Sequence, residues 1–198
     1  MNHDSTATTP LSIALHRVRL RQRVPDACVR YSRVLRDVTL IAVSKFQARS
    51  VISASLSGGQ QDFGENCIQG ISEKWGSKDV LDDGVRLHFL GRFQRNKVAT
   101  TARYCDVVHS VDSARLATDV AAVARKHERT LGCSVQVNTG RESQKSGTNS
   151  EGLQGLLDRC RSERGLDVIR LMRLPPVGDS PQIHFDLLLE LAESYDLH

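Results

Sequence analysis

Short apolar runs recur near positions 40, 62, 88, 107, 135 and 169, each followed by an amphipathic stretch. This βα alternation, with a period of about 25 residues, constrains the fold more than any other feature, because parallel strands need long crossovers and those crossovers are right-handed. The chain therefore reads as an α/β protein with a parallel sheet. Two architectures fit: an open doubly wound sheet and a (β/α)₈ barrel of the TIM type. The Gly-rich dinucleotide fingerprint and the P-loop are both missing from the sequence, which weakens the doubly wound nucleotide-binding reading. The barrel reading has a length problem of its own. Six units use all 198 residues, whereas a full barrel takes about 250, so two more units would need roughly 35–50 further residues.

Local pattern fills in the units. Leu11–Arg23 and Ala27–Arg36 read as helices interrupted near Pro25, and Val38–Ser44 as a buried strand. Arg49–Leu56 reads as a helix stopped by Gly58-Gly59. Gln61–Gly64, Arg86–Leu90 and Asp106–His109 follow as strands; Asn66–Trp75 and Asn96–Ala102 are the intervening helices. The clearest helix carries Leu116, Val120, Val123 and Ala124 on one face, with Ser110 or Asp112 as its cap. Cys133–Asn138 alternates, with Cys133, Val135 and Val137 on one side and Ser134, Gln136 and Asn138 on the other. A polar loop over Gly140–Ser150 leads to a helix over Glu151–Arg161 and a strand over Asp167–Leu171. Ser180-Pro181 opens the last helix, whose stripe is Leu188, Leu191, Ala192 and Tyr195.

No linker or low-complexity tract divides the chain, so residues 1–198 read as a single domain. No apolar run approaches the ~20 residues of a membrane helix. The net charge of +4 permits an anionic ligand without demanding nucleic acid. Arg17, Arg19, Arg21 and Arg23 lack interleaved aromatics and read as a solvated basic helix rather than a nucleic-acid surface or a transit segment. The five cysteines at 28, 67, 105, 133 and 160 are widely spaced with no C-x-x-C pair. That points to reduced thiols in a cytoplasmic protein, not to a disulfide framework or a zinc site.

The chemistry sits at strand ends. Lys45 follows Leu40–Ser44 at the carboxyl end of the first strand, the end where α/β proteins place their sites. It reads either as an amine desolvated against Ile41 and Val43, fit for imine formation, or as a lysine that extends from the strand into water. Glu65 and Asn66 either cap the next helix or serve a site. His88 shares parity with Leu90 and reads either as a packed strand histidine or as a pocket residue. Arg92, Arg95 and Lys97 form a basic turn that suits an anion or plain solvent. Polar groups recur at strand ends, at Lys45, Asn66, His109 and Asn138, which suggests one shared pocket. No metal-ligand spacing and no G-x-S-x-G elbow occur.

Read in order, these segments resemble one family. Ile41–Lys45, Phe63–Asn66, His88–Lys97, Val135–Asn138, Gln144–Gly147, Leu171-Met172 and Pro175-Pro176 together are similar to the pyridoxal phosphate homeostasis protein family, over about residues 10 to 198. The resemblance implies a barrel like the alanine racemase N-terminal domain, holding pyridoxal 5′-phosphate as a Schiff base. Lys45 matches the attachment lysine and Asn66 a residue beside the cofactor ring; His88, Asn138 and Met172 lie on strands lining the same pocket. It also implies a non-catalytic role in holding or delivering the cofactor, with PLP-dependent apoenzymes as partners.

The chain departs from the family pattern at several places. Family members continue with two further βα units that carry the phosphate cradle, and this sequence stops at Asp196-Leu197-His198. The expectation is therefore a barrel lacking its last two βα units, with open sheet edges. Arg170 stands where the family has Gly, Arg173 where it has a small residue, and Cys67 where it has Tyr. An unpaired arginine suits a barrel interior poorly, unless Arg170 and Arg173 replace phosphate contacts. Two other readings remain open: a relative that has lost cofactor binding, and a racemase-like enzyme, which needs a second acid or base that the sequence does not display.

Overall fold

The computed structural model describes residues 10–76, 84–93, 97–139, 146–176 and 178–197. In chain order the elements are α1 (Pro10–Arg30), a 3₁₀ turn (Leu35–Asp37), β1 (Ala42–Val43), α2 (Arg49–Ser57), β2 (Asp62–Glu65), α3 (Ile68–Trp75), β3 (Arg86–Phe89), α4 (Val98–Tyr104), β4 (Val107–Val111), α5 (Ala114–Lys126), β5 (Leu131–Gln136), α6 (Ser150–Ser162), β6 (Leu166–Met172) and α7 (Pro181–Ser194).

Among the described residues the six strands form one sheet in the order β1-β2-β3-β4-β5-β6, and every neighbouring pair is parallel. This order decides between the two architectures. A doubly wound sheet must reverse its strand order to put helices on both faces. A sheet that advances by one strand each time, through right-handed crossovers, puts every helix on the same face. The buried side chains agree. Phe63, Leu87 and Phe89 pack with Ile52, Ile68, Ile71 and Trp75 from α2 and α3. Cys133, Val135, Val137 and Leu171 pack with α5, α6 and the Leu188–Tyr195 stripe of α7. The opposite face, the inner face of a barrel arc, carries a polar band of Asp62, Arg86, His88, His109 and Ser134, with Ile41, Leu90, Val107 and Ile169 on the same side.

Several boundaries differ from expectation, each for a physical reason. Helix α1 runs through Pro25. The proline forfeits one backbone bond, and tertiary contacts hold the helix on both sides: Arg21 donates to the Gly59 carbonyl at 2.8 Å and Cys28 is buried. Strand β1 has two paired residues and lies at a sheet edge, with β2 as its only neighbour among the described residues. Before it, the Gln60 side-chain amide donates to the Leu40 and Asp62 carbonyls, both at 2.7 Å, in place of a backbone ladder. Helix α5 takes Ser113 as its cap residue, not Ser110 or Asp112. Ser110 instead donates to the Gly91 carbonyl at 2.6 Å. All five cysteines are free thiols, four of them buried.

Among the described glycines, Gly91 has the least room for a side chain. A Cβ there would lie 2.1 Å from the Asn66 carbonyl oxygen, a backbone atom that cannot swing aside. Gly155 is the contrasting case, since a Cβ on it meets nothing within 4 Å inside α6. Urea unfolding is expected to show Gly91→Ala destabilised by about 2 kcal/mol or more. In the same assay Gly155→Ala should be stabilised by about 0.5–1 kcal/mol through helix propensity.

Candidate functional site

The inner face of the sheet carries a hydrogen-bonded chain across four strands. Asp62, at the start of β2, accepts from Arg86 Nε at 2.8 Å and from His88 Nε2 at 3.0 Å. His88 Nδ1 lies 2.9 Å from His109 Nε2, and His109 Nδ1 lies 3.4 Å from Ser134 Oγ. Asp62 only accepts, so it fixes the order of protons. His88 donates from Nε2 and accepts at Nδ1; His109 donates from Nε2 and accepts from the Ser134 hydroxyl. Both rings are neutral in this arrangement. Burial holds His88 below the ordinary histidine range, against the pull of Asp62. Burial, then His88, then the Arg170 guanidinium hold His109 down at about 4.

The expected pocket residues divide between this floor and the rim above it. Lys45 is exposed, in a turn just past β1. Its parity is the expected one, but Val43 is itself 46% exposed, so the apolar cover anticipated around the amine is not supplied by this edge strand. Asn66 is exposed just past β2, and its carbonyl abuts Gly91. His88 is only 5% exposed with both ring nitrogens engaged, so it belongs to the floor. Asn138 and Met172 are half-buried at the ends of β5 and β6, and the Met172 carbonyl accepts from Val137 N at 2.8 Å.

Local sequence explains how the β5 rim is shaped. Thr148 runs alongside the strand end, exchanging bonds with Gln136 and Asn138. Gly147 makes this possible: its φ is 123°, and a Cβ would sit 2.9 Å from Asn138 N. Gln144 and Lys145 of the same motif lie outside the described residues, as do Gln94, Arg95 and Asn96 of the basic turn. Arg92 is exposed.

Glu65 and Asn66 do not cap α3, which has no side-chain cap bond. Glu65 points to the helices and is 1% exposed. It accepts from Ser44 Oγ at 2.8 Å, from Lys74 Nζ at 3.0 Å and from Trp75 Nε1 at 3.4 Å. The two unusual arginines go separate ways. Arg170 is exposed and reaches across to the Asp37 carbonyl at 3.4 Å, so it is not an unsolvated interior charge. Arg173 is buried against His184 of α7, which also contacts Thr139 at 3.3 Å and Asp179 at 3.0 Å. Sequence reasoning did not single out Asp62. Its signal was faint: a carboxylate at a strand start, in register with Arg86. His109 was legible only as a polar strand end.

These shifts set a pH dependence. Both histidines titrate lower in the folded protein than the ~6.5 of an unfolded chain, so the unfolded state binds more protons between that value and the folded one. The associated stability is complete above pH ~6.5 and is lost as pH falls towards 4, by on the order of 1–2 kcal/mol for His109 after allowing for its partial exposure. The urea midpoint is expected to drop between pH 7 and pH 4.5, and the drop should shrink in His109→Gln. An equal drop in the variant would contradict the assignment.

Comparison with known proteins places the chain. The alanine racemase N-terminal domain family model matches residues 28–193. The pyridoxal phosphate homeostasis protein of Escherichia coli (strain K12) is 28% identical over 184 residues, covering 92% of this chain and 79% of the relative. That of Mycobacterium tuberculosis (strain H37Rv) is 31% identical over 188 residues, covering 85% and 72%. PipY of Synechococcus elongatus, solved without PLP, superposes with a TM-score of 0.79 at 28% identity, covering 92% of this chain and 81% of PipY. The same protein solved with PLP bound gives 0.75 at 26% identity. Alanine racemase from Clostridium difficile gives 0.65 at 11% identity, a likeness of fold alone. With a sequential parallel sheet, helices on one face and these relatives across most of its length, the chain belongs to the pyridoxal phosphate homeostasis protein family, on the alanine racemase N-terminal-domain fold.

Proposed function

We propose that this protein binds pyridoxal 5′-phosphate covalently through Lys45 and holds it in a non-catalytic, homeostatic role. The observation that carries the reading is an exposed primary amine in a turn at the carboxyl end of β1, in a chain similar to a PipY that was solved with PLP bound. The cofactor supplies an aldehyde, which condenses with a neutral amine and releases water. Lys45 offers that amine where solvent and aldehyde both reach it. Asn66 offers a side-chain amide on the neighbouring strand end. Asn138 and Met172 offer an amide and a thioether at the ends of β5 and β6. His88 supports the floor rather than the cofactor itself, because both its nitrogens are occupied.

A holding role suits the inner face better than a catalytic one. Amino-acid chemistry on such a cofactor needs a second acid or base. His88 and His109 spend their nitrogens on each other, on Asp62 and on Ser134. The exposure of Lys45 also lets an incoming amine reach the linkage, which suits release to PLP-dependent apoenzymes. Free thiols at all five cysteines fit a cytoplasmic place of work. No helix among the described residues is long and apolar enough to cross a membrane.

Incubation with pyridoxal 5′-phosphate, borohydride reduction and peptide mapping tests the reading. A single adduct at Lys45, lost in Lys45→Ala, is the expected result. Adducts scattered over surface lysines and unchanged in Lys45→Ala would contradict it. Deuterium exchange at the α-carbon of an added amino acid, dependent on Lys45, would restore the racemase-like alternative.

A further inference from the structure

Lys45 occupies the second position of a four-residue turn, Ser44 to Gln47, closed by Gln47 N–H donating to the Ser44 carbonyl at 3.1 Å. The third position is Phe46, whose φ is 62°. Glycine reaches that left-handed region freely, whereas phenylalanine does so at a cost on the order of 1 kcal/mol. Phe46 is 93% exposed, so burial of its ring does not offset that cost. The turn's own hydrogen bond and contacts to Ser44 from outside the turn together hold that conformation beside Lys45.

The first outside contact comes from α3. Lys74 Nζ donates to the same Ser44 carbonyl at 2.7 Å and to Glu65 at 3.0 Å. Glu65 in turn accepts the Ser44 hydroxyl at 2.8 Å. Ser44 is thus gripped at both its carbonyl and its side chain. Strand alternation does the rest. Ser44 and Glu65 face the helices, so the residues that follow them, Lys45 and Asn66, leave on the opposite side. A single carboxylate–ammonium pair anchors the residue before each of them.

We propose that the part-buried Glu65–Lys74 pair is a positioning device for Lys45 and Asn66. It fixes the Ser44 carbonyl, and through the strained turn it sets where the Lys45 amine stands and how readily that amine meets an aldehyde. The inference rests on the reading that Lys45 carries the cofactor. A buried ion pair adds little stability compared with apolar residues of the same volume, so positional control accounts for the pair better than fold stability does.

The test compares wild type with Glu65→Gln/Lys74→Met, which leaves no lone buried charge, and with Lys74→Arg and Ser44→Ala. Two readouts are taken well below each Tm. One is the constant and pH profile for borohydride-trapped PLP at Lys45. The other is the ¹³Cε resonance of Lys45 in protein labelled with ¹³C-lysine, which needs no cofactor. The double variant is expected to trap PLP at Lys45 about tenfold less readily, as displacement of a reacting group by a fraction of an ångström allows. Its Lys45 resonance should move from the wild-type position, with Lys74→Arg restoring most of both. Should the double variant not fold, Ser44→Ala, which removes one bond of the grip, is expected to show the same changes in smaller measure. Variants that match wild type in both readouts, with only Tm changed, would overturn the proposal. If wild type gives no Lys45 adduct while the resonance still moves in the variants, the cofactor reading fails and the positioning device stands.

Discussion

Alternation along parallel strands that carry helices on only one face governs this structure. Each strand sends every second side chain into the helix layer and the others onto the inner face. Because the sheet advances β1 to β6 without reversal, the division holds from one edge to the other. The helix-facing set is apolar: Phe63, Leu87, Phe89, Val108, Cys133, Val135 and Leu171. The inner set includes a polar band whose members find their partners across strands, from Arg86 and Asp62 through the two histidines to Ser134. Shifts of register in β4 and β5–β6 interrupt the alternation, which is how Val108 and Val111, three residues apart, both reach the core.

This division also determines what the strand ends can do. Lys45 and Asn66, beyond the ends of β1 and β2, are exposed, whereas the residues before them, Ser44 and Glu65, are buried and hydrogen-bonded. An amine at an exposed rim keeps access to solvent and to an aldehyde. The rigidity it needs comes from behind, through bonds that cost the rim no accessibility. The histidine pair is the floor under that rim, a closed set of hydrogen bonds between neutral groups.

Much of the fold was legible in the sequence. The six βα units, the parity of Cys133, Val135 and Val137, the Ser180-Pro181 helix start and the stripe of α7 all follow from local periodicity, and all appear in the structure. What local pattern missed depends on partners distant in sequence. Pro25 reads as a break until Arg21 and Cys28 are seen anchoring α1 on either side of it. Val38–Ser44 reads as a full strand until its edge position becomes known. Asp62 and His88 are 26 residues apart, and only the β2–β3 register brings them together. Lys74 gave a fainter signal: it follows the buried Ile71 by three and precedes the buried Trp75, which puts it on the packed side of α3. The family resemblance supplied candidate site residues that periodicity could not separate from solvated strand ends; in the structure Lys45 and Asn66 are exposed, Asn138 and Met172 half-buried and His88 buried.

The central claim is that the cofactor is held at the rim by Lys45, above an undisturbed histidine floor. A crystal structure of the protein grown with pyridoxal 5′-phosphate tests this most directly. The account predicts density continuous with Lys45 Nζ, bordered by Asn66, Asn138 and Met172, with the Asp62–His88–His109–Ser134 chain intact beneath it. Density on another lysine, or a ligand hydrogen-bonded to His88 in place of Asp62 or His109, would contradict it.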